Sequence, residues 1–458
     1  MTMKIALLAP AGAMHRYNGS FGHTLHYAPL TLTTLAALIP AELCADVSLY
    51  DETAGRIPLD LNADLICMTC ITGTAERCYA YADYFRSRGI PVVLGGVHPT
   101  LLPGEAQRHA DAVVCGFAEF TFPQMLRDFL SGRLQARYTQ GGGYTIAGRP
   151  APRRELLNKK RYITVNSLEA VRGCSLPCNF CAYPAAFGKA IYKRPIREVC
   201  AEIEQMHAKL ILFPDVNLIA DRGYAVELFT ALIPLKKMWL GLATSSVGID
   251  DELISVFRRS GCKGLLIGFE SITQASQQFV NKGVNRVGAY GELMKRLHAN
   301  GILVQGCFAF GGDDEDPSVF ARTVEMAERI KIDLPRYSIL TPFPGTELYA
   351  QLERQGRIVE RGWAMYDVEH CVFTPAKMSK EELERGIESA WRETYRMAGI
   401  AKRLAPFRHS PWLSFPVNMG YKTYAGKFAK FTREAMCDNS DIPCAGEGEG
   451  AGWAQMQP

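Results

Sequence analysis

The chain has 458 residues, 48% of them hydrophobic, enough for large buried cores and for roughly two or three domains. Its 51 basic and 47 acidic residues leave a net charge of +4 with no basic block, which excludes the electrostatic footprint of a nucleic-acid-binding protein. Fourteen cysteines at irregular spacings invite a disulfide reading, but the first ten residues hold only a short apolar run before Pro10, too short for a secretory leader or a bilayer span. The expected setting is a reducing cytoplasm, without membrane association.

Residues 1–135 alternate short apolar strands with helical stretches. The strands are expected at Lys4–Leu8, Val47–Tyr50, Asp64–Thr69, Pro91–Gly95 and Ala112–Cys115, and helices at Leu30–Leu43 and Ala75–Arg88. Short strands bounded by Gly and Pro predict a doubly wound, Rossmann-like parallel sheet, which binds ligands at the carboxyl ends of its strands. The loops there are Asp51–Gly55, Thr69–Thr74, Gly95–Thr100 and Cys115–Glu119. A glycine pair such as Gly95-Gly96 lets a bulky ligand approach the backbone.

Residues 136–160, with Gly141–Gly143 and Pro150–Arg154, read as a linker. A second pattern fills 161–375, with strands expected at Ile163–Val165, Leu210–Phe213, Trp239–Ala243, Gly264–Phe269, Leu303–Phe310 and Tyr337–Leu340, and helices such as Val199–Ala208 and Ala289–Ala299 between them. Six βα units make a partial (β/α)6 barrel of TIM type, whose active site lies at the carboxyl ends of the strands. After the first of them comes Arg172-Gly173-Cys174-Ser-Leu-Pro-Cys178-Asn-Phe180-Cys181. Three cysteines spaced CxxxCxxC can bind three corners of a 4Fe-4S cube and leave the fourth iron open. The rival is structural zinc, which needs four tetrahedral N/S ligands. No histidine lies between His109 and His207, so zinc would have to recruit Cys200 or a distant group.

Residues 376–405 form a helical extension: Ser379 is an N-cap, Glu381 and Glu382 fill the first turn, and Leu383, Ile387, Trp391 and Tyr395 recur at helical spacing through to Arg403. The Trp/Tyr stripe is read as packing. From 406 to 458 the pattern weakens into a tail, partly disordered, with Gly446–Pro458 small and acidic. Cys437 and Cys444 lack two further ligands for a second metal site.

The triplet resembles the signature of the radical S-adenosylmethionine (SAM) enzymes. So do Tyr192-Lys-Arg194-Pro195, Asp215-Val-Asn217, Gly268-Phe-Glu270-Ser271, Gly311-Gly312-Asp313-Asp314 and Thr341–Thr346. The resemblance implies that Cys174, Cys178 and Cys181 hold a 4Fe-4S cluster whose open iron chelates SAM, and that an electron from the cluster cleaves it to a 5'-deoxyadenosyl radical. It places Phe180 against the adenine, Asp215 and Glu270 at the ribose or ammonium, and Gly311 and Gly312 beside the sugar or carboxylate, against the alternative of a satisfied polar rim and an ordinary turn.

The loops of 1–135 in turn resemble the cobalamin-binding domain that precedes the radical domain in one large class of these enzymes. Asp51, Thr53, Thr69, Thr72, Gly95, Gly96, His98 and Gly116 are then the cobalamin candidates. Where cobalt-ligating corrinoid domains carry DxHxxG, this chain has Asp51-Glu-Thr53-Ala-Gly55, so the lower face of the corrin is expected to lack an imidazole. His98 reads as a loop cap rather than a substitute ligand. The function implied is methylation of an unactivated carbon through methylcobalamin, with a small-molecule or natural-product substrate and an external electron donor such as flavodoxin or ferredoxin. The alternatives are a radical SAM oxidative cyclase and a cobalamin-binding Fe-S sensor without catalysis.

Overall fold

The computed structural model describes residues 2–12, 28–405, 410–433 and 439–443. Its first sheet contains β1 (Lys4–Ala9), β2 (Asp46–Asp51), β3 (Leu65–Thr69), β4 (Val92–Gly95), β5 (Ala112–Cys115) and β6 (Arg137–Thr139), ordered β2-β1-β3-β4-β5-β6 and parallel throughout. Successive β1 side chains go to opposite faces, Ile5 and Leu7 to one core, Ala6 and Leu8 to the other. Helices Leu30–Leu38 and Ala118–Leu130 cover one face and Ala75–Ser87 the other. The doubly wound domain is therefore as expected, with two local differences. The first helix stops at Leu38, because Pro40 forces Ile39 into an extended conformation (ψ 121°). Strand β6 lies inside the stretch read as linker and extends the sheet to Thr139, where the core accepts Tyr138. Its ladder is only three residues long, too short for a periodicity signal.

In the second half, the two-residue strands β7 (Val171–Arg172) and β8 (Tyr192–Lys193) pair antiparallel and bracket the cysteine loop. The barrel sheet follows: β9 (Leu210–Leu212), β10 (Met238–Ala243), β11 (Cys262–Glu270), β12 (Leu303–Phe310) and β13 (Leu334–Ile339), five parallel strands in sequential order. The expected strand at Ile163–Val165 is not formed. Ile163 is 51% exposed, and pairing at this edge shrinks to one parallel bridge between Ser167 and Leu212. The partial barrel thus has five strands and a rudimentary sixth.

The helical extension is Lys380–Thr394, opened by a Ser379/Glu382 capping box, then Met397–Leu404. The helix expected to run to Arg403 breaks after Thr394, whose carbonyl accepts a bond from the Arg403 guanidinium. Trp391 and Tyr395 are 1% exposed and do pack, as expected. Their partner was not legible in the sequence: Pro411–Arg433 forms a helix, not tail, and lays Tyr421, Tyr424 and Phe428 against Trp391 at ring distances of 4.9–6.2 Å. Pro416, Gly420 and Gly426 mask its apolar rhythm. Further on, Ile442 is buried in the first domain's core, and Asp441 pairs with Arg77 at 2.9 Å. Cys437, Cys444 and Gly446–Pro458 lie outside the described residues. No helix among the described residues is long and apolar enough to cross a membrane.

Candidate active site

One cavity of about 460 Å³ lies where the two halves meet. From the first domain it is walled by Thr69, Gly95, Gly96, Gly116 and Phe117, at the carboxyl ends of β3, β4 and β5, and by Leu30, Thr34, Leu35 and Leu38. From the second come Glu169, Val171, Arg172, Gly173, Tyr183, Phe187, Pro214 and Val216. Gly96 has φ +107°, and a Cβ there would sit 2.7 Å from the Cys70 carbonyl oxygen, so the loop after β4 requires glycine. The cavity wall includes Gly173, immediately before the first cysteine. Gly173 has φ +118°, and its Cβ would stand 2.1 Å from the Ala190 oxygen, so the cysteine loop leaves β7 hard against the strand that pairs with it.

Of the cobalamin candidates, Thr69, Gly95, Gly96 and Gly116 line the cavity; the other four serve loop structure. Asp51 accepts bonds from the Thr53 amide (3.0 Å) and hydroxyl (2.8 Å) and from Tyr162. His98 is fully buried, its Nδ1 3.3 Å from the Thr72 hydroxyl and its Nε2 3.2 Å from Glu105. Glu105 also accepts from Tyr79 and Trp363, both at 2.9 Å, so both ring nitrogens of His98 are engaged in holding the loop. Sequence reasoning missed the helix Leu30–Leu38 as a cavity wall. It carries no charged residue on any side, the mark of a helix covered on more than one face.

Cys174, Cys178 and Cys181 are partly exposed free thiols on one loop. Burial pushes the Cys178 thiol up to about 12, with the Lys282 ammonium pulling the other way and Cys181 and Cys174 adding to the rise. Among the described residues, no three His, Cys, Asp or Glu side chains converge on one metal ion. In a 4Fe-4S cube each thiolate takes its own iron, so three thiols on one loop fit the cluster, whereas tetrahedral zinc would need a fourth N or S ligand.

The SAM candidates other than Phe180, which lies in the cysteine loop, sit at the carboxyl ends of the barrel strands. Asp215, after β9, is buried and accepts from the Ala170 amide at 2.8 Å and from that of Val171, which anchors β7. Its other oxygen is buried without a protein partner, as are the Tyr183 hydroxyl and Glu119 Oε2, as fits a site awaiting a polar ligand. Glu270 has φ +60°, unusual for a residue with a side chain, and its carboxylate is 2.5 Å from Lys282 Nζ. Phe180 packs against the barrel core. The Gly311 and Gly312 amides donate to Glu315 Oε2 at 2.9 and 3.2 Å, so this turn spends its donors internally.

Burial, with Glu169 adding to it, pushes the Asp215 carboxyl up to about 7. A carboxyl raised above its unfolded value stabilises the fold while protonated: the contribution is complete below about pH 4 and lost as pH rises to about 7. Asp215→Asn keeps the acceptor and removes the charge. Its melting temperature relative to wild type is expected to climb across that window and level off above it, by at most about 4 kcal/mol of stability. A difference flat from pH 4 to 8 would show that Asp215 stays charged throughout.

The profile of the Radical SAM superfamily matches residues 168–327, and that of the B12 binding domain residues 34–126. Bacteriochlorophyllide d C-12(1)-methyltransferase of Chlorobaculum tepidum is 31% identical over 388 residues, which span 82% of this chain and 84% of that protein. This chain is a cobalamin-dependent radical SAM family member. The radical SAM family member is also 25% identical over 407 residues to the anaerobic magnesium-protoporphyrin IX monomethyl ester cyclase of Rubrivivax gelatinosus, spanning 79% of this chain and 71% of that one. In fold it matches the radical SAM methyltransferase TsrM of Kitasatospora setae, solved with cobalamin and a 4Fe-4S cluster bound, with a TM-score of 0.65, 16% identity, and coverage of 95% of this chain and 99% of TsrM.

Proposed function

We propose that this enzyme methylates an unactivated carbon of a small-molecule substrate, using cobalamin, a 4Fe-4S cluster and SAM. The observation that carries the reading is the shared cavity wall: Gly95, Gly96 and Gly116 of the B12-binding domain face Arg172, Gly173 and Pro214, the last two adjacent to Cys174 and Asp215. When bound, the cluster would supply the electron that cleaves one SAM, and the corrinoid would carry a methyl group drawn from a second. Cys174, Cys178 and Cys181 hold the cluster. Asp215 fixes the β7 backbone ahead of them and keeps one carboxylate oxygen for ligand. The glycines after β4 and β5 would admit the corrinoid to the backbone, and Thr53, at the DxHxxG position, bonds Asp51 and would offer it no imidazole. Two of the named relatives act on tetrapyrroles, and we favour a tetrapyrrole as substrate class. A flavodoxin or ferredoxin in the cytoplasm is the proposed electron donor.

With methyl-deuterated SAM, reductant and a panel of tetrapyrroles, the product is expected to gain an intact labelled methyl group. S-adenosylhomocysteine and 5'-deoxyadenosine should form in similar amounts, since one SAM methylates and the other is cleaved. 5'-Deoxyadenosine with no matching S-adenosylhomocysteine and no methyl gain would make the enzyme a cyclase. No SAM cleavage by the reduced protein would leave the sensor reading.

A further inference from the structure

The turn after the helix Gln274–Phe279 is tied directly to the cysteine loop. Asn179, between Cys178 and Cys181, donates from its backbone amide to the Val280 oxygen at 3.3 Å and from its side chain to the Phe279 oxygen at 2.7 Å. Asn281 then takes a left-handed conformation, φ +54°, and Lys282 follows with only 8% of its surface exposed. Its ammonium donates to the Gly268 oxygen at 3.1 Å and pairs with Glu270 at 2.5 Å. That accounts for two of its three N–H groups. The ammonium is therefore fixed on a turn whose Phe279 and Val280 carbonyls are bonded to the residue after Cys178. No sequence motif singled this lysine out.

We propose that Lys282 is a positioning cation for the cysteine loop, whose buried charge offsets that of the three thiolates and raises the reduction potential of the cluster they hold. The proposal rests on the cluster reading above. An electron added to a site already carrying three thiolates and the Glu270 carboxylate is opposed by all four charges, and a fixed cation lowers that cost most where water is excluded. The strained Glu270 backbone and the Asn179 bonds hold the ammonium in place; a lysine needed only for solubility would require neither.

The test is a redox titration of the reconstituted full chain, followed by paramagnetic resonance, without SAM. Lys282→Met is expected to move the midpoint negative by about 60 mV or more, a tenfold change in the one-electron equilibrium. Lys282→Arg should restore it to within about 20 mV of wild type. Glu270→Gln, which removes a negative charge from the same pair, should move it positive, and the double variant should fall between. Opposite signs are not produced by loosened packing. A Lys282→Met midpoint equal to wild type, with iron content unchanged, overturns the proposal and leaves the cluster reading intact. If Lys282→Met fails to hold iron, a Glu270→Gln midpoint that is unmoved or negative overturns it. Wild-type protein that takes up no iron would defeat both readings.

Discussion

Replacing Cys174, Cys178 and Cys181 together by Ala is expected to remove iron binding and SAM cleavage completely. Anaerobically reconstituted wild-type protein should carry about four irons per chain, and the triple variant none. Cys200 stands apart, on the helix Ile196–Gln205. The fold should survive the change. All three thiols are partly exposed on a loop, so their loss opens little cavity in the core, and the melting temperature of the apo-protein should move only slightly. Added SAM should alter the resonance spectrum of the reduced wild-type cluster through the open iron. Stoichiometric zinc with no iron-dependent absorbance would defeat the assignment.

Arg172→Ala is expected to destabilise the protein by up to about 3–5 kcal/mol, because it leaves two half-buried carboxylates to share Arg149 alone, which lies 2.6 Å from Glu169 and 3.8 Å from Glu119. Arg172 bonds Glu119 of the first domain at 2.7 Å and Glu169 of the second at 2.6 Å, and its guanidinium lies 4.8 Å from the Phe117 ring. Arg149 joins the same group through Glu169 at 2.6 Å. Burial works against the Arg172 charge, but Glu169 and Glu119 outweigh it and hold its pKa well above the ordinary value. Burial likewise opposes the charge of Glu169, and Arg172 and Arg149 keep its pKa low. Arg172 and Glu169 therefore stay ionised across the neutral range, and the network ties the cavity loop after β5 to the strand that carries the cysteine loop. Calorimetry of Arg172→Ala against a double variant, Arg172→Met with Glu119→Gln, separates the stranded charge from the lost packing. The double variant should recover part of the loss, about 1–2 kcal/mol, since Glu119 is then neutral and Glu169 keeps Arg149 to itself. A single variant as stable as wild type would show that the two halves are not held by this network.

Local chemistry and short-range pattern made much of the molecule legible. Short apolar runs and their Gly and Pro boundaries located β1 to β5 and β9 to β13, because strands buried on both faces have no choice but to be apolar. Ser379 and Glu382 marked a helix start through a capping box, which is a contact between neighbours in sequence. The edges were less legible. Strand β6 has three residues, and the expected strand at Ile163–Val165 has too little to bury, so in both places the sheet decides the outcome and not the residues themselves. The helix Pro411–Arg433 depends on the aromatic surface of Trp391 and Tyr395, which lies on another helix.

The candidate site divides along the same line. Three cysteines within eight residues propose a cluster by themselves, since their spacing is a property of one loop, and the sequence alone determined the candidate ligands, the two-domain order and the family. Only the tertiary structure decided which loops face the cavity. It turned His98, Thr72, Asp51 and Thr53 inward to hold their own loops, and it committed the Gly311 and Gly312 amides to Glu315. It also brought Arg172 to Glu119 across 53 residues and Lys282 to Glu270 and the cysteine loop. A buried charge is stable only beside its partner, and partners that meet by folding leave no mark in the spacing of either one.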